Sequence, residues 1–521
     1  MQTSDTDGFT SASILYHYIK TNLHYNNIKY ILQTGKQHGL SEYPMNILLS
    51  SPIGLVITPD ASTNDVEQCK ILVEQGFDVL VLDHHQKEID ENKPENTYAT
   101  IINNQTCDYP NKNLCGVGVV YKFLQALDDE YWVQGADEYL DLVALGNIAD
   151  IMDLRECETK HLVDIGLKNI KHPLLKAFLK KQSFSIPNIE RPTMTNISFY
   201  ITPMINAMIR LGKFEEKDLL FKAFAMEYNE FEYKPRKSKN NPNPTLIMES
   251  IFDRAARLCY NTKVKQSKIQ AKAVQDVVDV YDAMNKQNAM CFINASRFES
   301  ISNEFTGLVA IKIASEYGKP CLIIRKDNSK SNDSKIIFSG SARNINDGFI
   351  KDLKKELEDS GLFENVIGHA NAFGVSIQKN NVPRAIEFFN NKYKDIDTYK
   401  KYSVDFVVEE NVEYSLVKGI YEIQHLFSNF VREPLIAINN IHVDLMGFSM
   451  LGSEGKHWKF QNGMIEYIRF NAGQHDFMMN LDTFSTESVV LNVVGKASIN
   501  QYGSKVTPQV IIESYEVVSV E

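Results

Sequence analysis

No stretch of the sequence approaches the ~18 uninterrupted apolar residues that a spanning helix needs, and the N-terminus lacks the basic-then-apolar order of a secretory leader. Close cysteine pairs are missing as well. Cys69, Cys107, Cys115, Cys157, Cys259, Cys291 and Cys321 include no CxxC, which argues against a zinc knuckle or disulfide frame and for buried free thiols in a cytosolic chain. A surplus of positive charge is also absent, and a net charge of −11 would ordinarily oppose a polyanionic partner. That objection weakens if carboxylates cluster around divalent cations, which reverse the local sign. What is present is a globular composition, 43% hydrophobic and 23% charged over 521 residues, enough for about three domains. Abundant Asn, Lys, Ile and Tyr suggest an AT-rich source, as in many phages acting in a host cytoplasm.

From Met1 to about Leu220 short apolar strands (Ile53–Thr58, Asp78–Leu82) alternate with helical stretches (Asp65–Gln75, Val117–Asp128), which predicts an α/β domain with a parallel sheet. Ligands of such sheets gather beyond the carboxyl ends of the strands. The basic, Pro- and Asn-rich stretch Lys234–Pro244 reads as a loop or linker, with phosphate contact as the minority option. Thr245 to Lys286 lacks proline and glycine and predicts one long connecting helix, interrupted near Tyr260-Asn261. A second, smaller α/β region follows from Met290 to Tyr393, with helices at Ser302–Tyr317 and Phe349–Ser360 and strands at Pro320–Ile324, Lys335–Ser339 and Phe373–Gln378. Beyond Ser403 the chain turns strand-rich, at Met464–Phe470, Ser488–Ile499 and Thr507–Val517, with a hairpin turn at Tyr502-Gly503; a small OB-like β-barrel is the economical reading. The domains are thus 1–235, a connecting helix at 245–288, 289–395 and 402–521.

Four clusters in the first domain carry chemistry: Asp5-Thr6-Asp7-Gly8, Asp60, Asp83-His84-His85, and Asp150 in Gly146-Asn147-Ile148-Ala149-Asp150. Asp60 and Asp83 to His85 each follow an apolar strand, so they converge at the carboxyl rim of a parallel sheet. Carboxylate and imidazole together suit manganese over magnesium or zinc. Taken singly, these features have plainer explanations: Asp-x-Asp-Gly is commonly a turn, a lone Asp after a strand a helix cap, and Asp150 a solvated residue rivalled by Asp153. Two histidines behind an aspartate at a strand end have no structural necessity.

In order and spacing, Asp5-Thr6-Asp7-Gly8-Phe9-Thr10-Ser11, Asp60, Asp83-His84-His85 and Ala149-Asp150 resemble the four successive motifs of the DHH phosphoesterase family. Pro203-Met204-Ile205-Asn206-Ala207-Met208-Ile209-Arg210 resembles the Pro-Arg-x-Asn-Ala-x-Gly-Arg stretch of its RecJ-type exonucleases. Ser339-Gly340-Ser341-Ala342-Arg343 and Gly368-His369-Ala370-Asn371-Ala372-Phe373-Gly374 resemble the motifs of the DHH-associated (DHHA1) domain, and Val494–Glu513 is similar to the last strands of the RecJ oligonucleotide-binding barrel.

The resemblance implies two divalent cations, manganese preferred and magnesium the alternative: Asp5 and Asp60 hold one, while Asp7, Asp60, His84 and Asp150 hold the other. Such a pair, roughly 4 Å apart, clamps the attacking and leaving oxygens of a phosphodiester. It also implies that His85 meets the phosphoryl oxygen or assists proton transfer, that Asp83 orients the histidines, and that His369 reaches the scissile phosphate. Substrate contacts fall to Ser341, Arg343, Gly340, Gly368, Asn206 and Arg210. The implied activity is hydrolysis of single-stranded DNA from the 5′ end, in repair, recombination or replication, by a monomer partnered with a single-strand-binding protein or helicase and with RNA open as substrate.

Three positions depart from the pattern. Thr3 stands where the family has a further His or Asp ligand, and the strand expected before Asp5 is missing; Met204 replaces an arginine, and Ile367 the first glycine of a Gly-Gly-His. The rivals are a DHH enzyme acting on oligoribonucleotides, phosphoadenosine phosphate or cyclic dinucleotides, and a RecJ-like protein that binds nucleic acid without cutting.

Overall fold

The computed structural model describes residues 5–33, 38–52, 54–87, 95–186, 188–237, 242–284, 288–299, 301, 305–332, 335–345, 348–394, 402–409, 413–427, 430–452, 457–470, 472, 476–481, 486–502 and 505–520. Thr3, part of the 234–244 stretch, and Gly503 lie outside them.

Apolar residues alternate along Leu55–Pro59 (β1) and Asp78–Asp83 (β2), and these two strands pair in parallel from Leu55↔Asp78 to Pro59↔Leu82. On its other side β2 pairs in parallel with β3 (Thr100–Asn103). Val79 and Val81 point to one face, where Met45, Leu48, Cys69 and Leu72 cover them. Leu82 points to the other, into the main core. Helices α2 (Glu42–Leu49) and α3 (Val66–Glu74) serve the first face. The main core packs α1 (Thr6–Thr21), α4 (Gly116–Tyr131), α5 (Leu140–Ala149), α6 (Cys157–Lys168) and α7 (Pro173–Lys181) with α9 (Thr202–Leu211) and α10 (Phe214–Phe224). The short α8 (Met194–Asn196) runs through a single π-helical turn, Ile197–Ile201, into α9.

The long helix expected from Thr245 is corrected at its start: Ile247–Ser250 (β5) pairs with Glu230–Tyr233 (β4) in an antiparallel ribbon, and the 34-residue helix α11 begins at Ile251 and ends at Met284. Its Tyr260-Asn261 does not break it, because Cys259 is fully buried in the main core and holds that turn.

Residues 264–403 form a unit of their own, distinct from 1–263 with 404–521. Its sheet has the order β6-β7-β8-β10-β9, from Cys291–Asn294 (β6), Cys321–Lys326 (β7), Ile337–Arg343 (β8), Phe363–His369 (β9) and Ala372–Gln378 (β10). Helices α12 (Thr306–Tyr317), α13 (Leu353–Asp359) and α14 (Val382–Lys392) accompany it. Asp352 caps α13 through the Lys355 amide at 2.9 Å, so the expected helix at Phe349–Ser360 starts later, at its cap.

The last region carries β11 (Phe406–Glu409), α15 (Glu413–Glu422), β12 (Leu435–Asp444), β13 (Ser449–Leu451), β14 (His457–Asn462), β15 (Ile465–Arg469), β16 (Ser488–Tyr502) and β17 (Lys505–Val520). The hairpin pairing of β16 with β17 extends to Tyr502↔Lys505. The strands form one sheet in the order β11-β12-β16-β17-β15-β14-β13. A closed barrel is not present among the described residues. The sheet ends in a four-residue strand paired in parallel with β12 and a three-residue strand paired with β14, and these two ends are not paired with each other. Of the cysteines, Cys107 and Cys157 are exposed rather than buried; all seven are free. Among the described residues no helix is long and apolar enough to cross a membrane.

Candidate metal centre

Asp5 begins the site as the N-cap of α1, its carboxylate accepting from the Gly8 amide at 3.0 Å. Asp7 lies in the first turn, 2% exposed. Its carboxylate accepts from the Gly116 and Val117 amides at 2.6 and 2.9 Å. These are the first amides of α4, donors without a partner inside their own helix, and their end of the helix dipole favours a negative charge. α9 fixes the same motif from another side, since the Asn206 side-chain oxygen accepts from the Thr6 amide at 3.2 Å and its hydroxyl at 2.9 Å.

Asp60 follows β1 directly, with φ +60 and its amide donating to Leu82 at 2.7 Å. The left-handed backbone, which Asp tolerates better than most residues, brings the carboxylate to the sheet rim. Gly116 packs on it so tightly that a Cβ there would lie 2.4 Å from the Asp60 Cβ.

Asp83 closes β2 and gathers the loop behind it. It accepts from the Thr63 amide and hydroxyl at 3.0 and 2.7 Å, the His84 and His85 amides at 2.8 and 3.2 Å, and the His85 ring Nδ1 at 2.7 Å. Burial pushes its carboxyl up, but the bonds from His85 and Thr63 outweigh this and hold it well below the usual carboxylate range. The bond to Asp83, against the cost of burial, raises His85 to about 9. Asn103, at the end of β3, donates to the Thr63 hydroxyl at 2.8 Å and to the His85 carbonyl at 2.9 Å.

His84 stands at the meeting point. Its Nε2 is 3.2 Å from Asp60 Oδ1, 3.5 Å from Asp150 Oδ2 and 3.8 Å from Asp7 Oδ2. Asp60, His84 and His85 form one group able to hold an ion, and Asp7, His84 and Asp150 a second, each with ligand atoms within 4.8 Å of one another. Burial, with the Asp7 charge, pushes Asp150 up to about 7, and burial likewise raises Asp7. Such carboxylates become comfortable as anions only when a cation joins them, and an oxygen-rich donor set with imidazole suits a divalent ion of the manganese kind. The residues therefore fit the metal that the motif order implies.

Asp5, Asp7, Asp60, Asp83, His84, His85 and Asp150 are thus brought to one end of the three-stranded sheet. Thr63, Asn103 and Gly116, which anchor this loop system, had no motif to flag them. Asn103 offered a signal all the same, as an amide at the end of the third strand of a sheet whose other two strands end in acids. Met204 is 1% exposed and lies inside the main core. Arg210 is exposed at the end of α9.

The remaining residues belong to the 264–403 unit. Ser341 shares a 2.9 Å hydroxyl hydrogen bond with Thr306 at the start of α12, and the Arg343 guanidinium lies over Gly307, where a Cβ would come within 2.5 Å of it. Gly340 has no room for a side chain, because a Cβ would overlap the Ile323 carbonyl at 1.9 Å. Gly368 has φ +135 at the tight return between β9 and β10; Ile367 beside it is exposed. His369 pairs through its backbone with Ala372; its side chain lies outside the described residues.

Residues 1–147 match the model of the DHH family, N-terminal domain. Over 520 residues the chain is 38% identical to a Bacillus subtilis protein described as the SPbeta prophage-derived single-strand DNA-specific exonuclease YorK, covering 99% of this chain and 86% of that one. It is 26% identical to the single-stranded-DNA-specific exonuclease RecJ of Bacillus subtilis, covering 98% of this chain and 60% of the relative. In fold it resembles the crystal structure of RecJ in complex with Mn2+ from Thermus thermophilus, with TM-score 0.67 at 17% identity, over 99% of this chain and 68% of that one. With the four motifs converging at one sheet end and a relative of this identity matched along 99% of the chain, the chain belongs to the RecJ type of the DHH family.

Proposed function

We propose that this protein is a metal-dependent exonuclease that hydrolyses phosphodiester bonds of single-stranded DNA from the 5′ end, serving repair, recombination or replication in a cytoplasm. The observation that carries the reading is the convergence of Asp7, Asp60, His84 and Asp150 on one point, with His84 common to both possible ligand groups. The names of its relatives, single-strand DNA-specific exonucleases, support the substrate and the class of reaction.

Two divalent cations, manganese before magnesium, would be held by Asp5 and Asp60 and by Asp7, Asp60, His84 and Asp150. When bound, they supply charge to the attacking and leaving oxygens and lower the pKa of water. The protein groups do the rest. Asp7 is fixed by two helix-terminal amides, so it needs no reorganisation. Asp83 holds the proton of His85 on Nδ1, which leaves Nε2 of this half-exposed ring to meet a phosphoryl oxygen or protonate the leaving group. Ser341 and Arg343, with Gly340 and Gly368 allowing close backbone approach, bind substrate phosphate, and His369 and Arg210 add contacts. The domain plan is 1–235, 245–288, 289–395 and 402–521, the last acting as an OB-like nucleic-acid-binding module.

The test is cleavage of end-labelled single-stranded DNA and RNA, each labelled at either end, with manganese. Loss of DNA degradation in Asp60→Ala, with an unchanged far-UV spectrum, supports the proposal. Binding without cutting in the wild type, or cutting that persists in Asp60→Ala, overturns it.

A further inference from the structure

Between the carboxyl end of α5 and the π-helical turn lies a pocket of about 50 Å³, walled by Ile148, Met152 and Leu154 on one side and by Met194, Ser198 and Phe199 on the other. Both walls are tied to the metal centre. Ile148 and Met152 flank Asp150 by two residues on either side. The opposite wall continues into α9, whose Asn206 holds Thr6 between Asp5 and Asp7.

Phe199 is the anomaly in this pocket. Ile197 and Ile201 are fully buried and anchor the turn, yet Phe199 between them is 69% exposed. Leaving an aromatic ring in water forfeits the stabilisation its burial would give, and single π-helical turns are frequent at functional sites. The lining has no charged side chain, so it does not suit a phosphate. A flat ring with a π face suits it, because the exposed phenyl offers a stacking surface and the apolar floor accepts a ring edge.

We propose that this pocket receives the nucleobase of a nucleotide adjoining the scissile phosphate, stacked on Phe199. The proposal rests on the nuclease reading and deepens it by placing a base subsite next to Asp150. Uncharged walls recognise a base by shape and stacking, so the subsite tolerates any of the four bases.

The experiment compares the full chain with Phe199→Ala and Phe199→Trp on single-stranded DNA whose terminal or penultimate nucleotide at the degraded end carries or lacks its base. On intact strands Phe199→Ala lowers kcat/KM by roughly ten- to a hundredfold, the range of one base–aromatic stack, and Phe199→Trp restores it. On strands abasic at one of these two positions, wild type falls to the level of Phe199→Ala and the two become equal. Manganese affinity by calorimetry is the same in all three proteins. The inference is overturned if Phe199→Ala cuts intact strands like wild type, loses the same factor on every abasic strand, or loses manganese. Should the wild type cut nothing, the nuclease reading fails by itself. The pocket is then judged by quenching of 2-aminopurine at the same positions: quenching lost in Phe199→Ala supports it, and equal quenching in both proteins refutes it.

Discussion

Replacing Gly116 by alanine tests the metal centre without touching a ligand. The added Cβ would stand 2.4 Å from the Asp60 Cβ and 2.6 Å from its Oδ1, whereas ordinary contact begins near 3.4 Å, so one side must yield by about 1 Å. Asp60 has little freedom to yield, since its φ of +60 and its 2.7 Å amide bond to Leu82 fix the backbone. Gly116 can withdraw only by moving the amide that holds Asp7 at 2.6 Å. Either movement misplaces a carboxylate by a distance that costs catalysis about a hundredfold, with an overpacking cost of about 1–3 kcal/mol in stability. Manganese titration, single-turnover cleavage of single-stranded DNA and urea unfolding should be measured together. Gly118→Ala is the control, because its Cβ comes nearest to the Leu114 side chain, at 3.0 Å, and should leave manganese affinity unchanged. Wild-type turnover and manganese affinity in Gly116→Ala would refute the packing of Asp60 against α4 and the site built on it.

Asp83→Asn presents an amide to donors that a carboxylate now satisfies, so unfolding should become easier by about 2–3 kcal/mol and cleavage slower by about 10- to 100-fold; an unchanged urea midpoint and rate would contradict the anchoring role. Burial lowers His172 to about 4 despite its 3.0 Å bond to the Phe224 carbonyl. The unfolded chain therefore takes up a proton below about 6.5 that the native state refuses until about 4, so this stability is complete above 6.5 and falls by about 1.4 kcal/mol per pH unit below it. Urea unfolding should lose about 2 kcal/mol between pH 7 and pH 5 through this group, a slope that His172→Gln should reduce and that its persistence in the variant would disprove. Ile151, beside Asp150, is a β-branched residue at φ +59; Ile151→Asn should raise stability by about 0.5–1 kcal/mol by relieving that strain, and a fall in the urea midpoint would speak against it.

Much of the centre was legible because its residues sit where period-two apolar runs end. Asp60 and Asp83-His84-His85 follow β1 and β2, and a parallel sheet leaves such residues at one rim. What was not legible depends on groups without chemical signature. Thr63 and Asn103 act only by hydrogen bonds made across 18 to 40 residues, and Gly116 acts through the absence of a side chain. Asn206, expected as a substrate contact, also holds Thr6 through its side-chain oxygen, a role that only the packing of α9 on α1 reveals. The strand at Ile247–Ser250 looked helical because its residues favour either state, and cross-strand pairing with Glu230–Tyr233 decided the matter. In the last region β-branched enrichment located β15, β16 and β17 but not the ten-residue β12, β14, or the short β11 and β13, whose few residues leave no periodicity to detect.

The family match ends at residue 147, three positions short of Asp150 and well before the helix that grips Thr6. The apolar cluster enclosing α1 reaches further still, to Cys259. Trimming the gene to its recognisable motif would thus remove one side of the cation cage and strip the scaffold from the others. For this lineage the smallest autonomous module is set by packing, and the sequence signatures mark only its beginning.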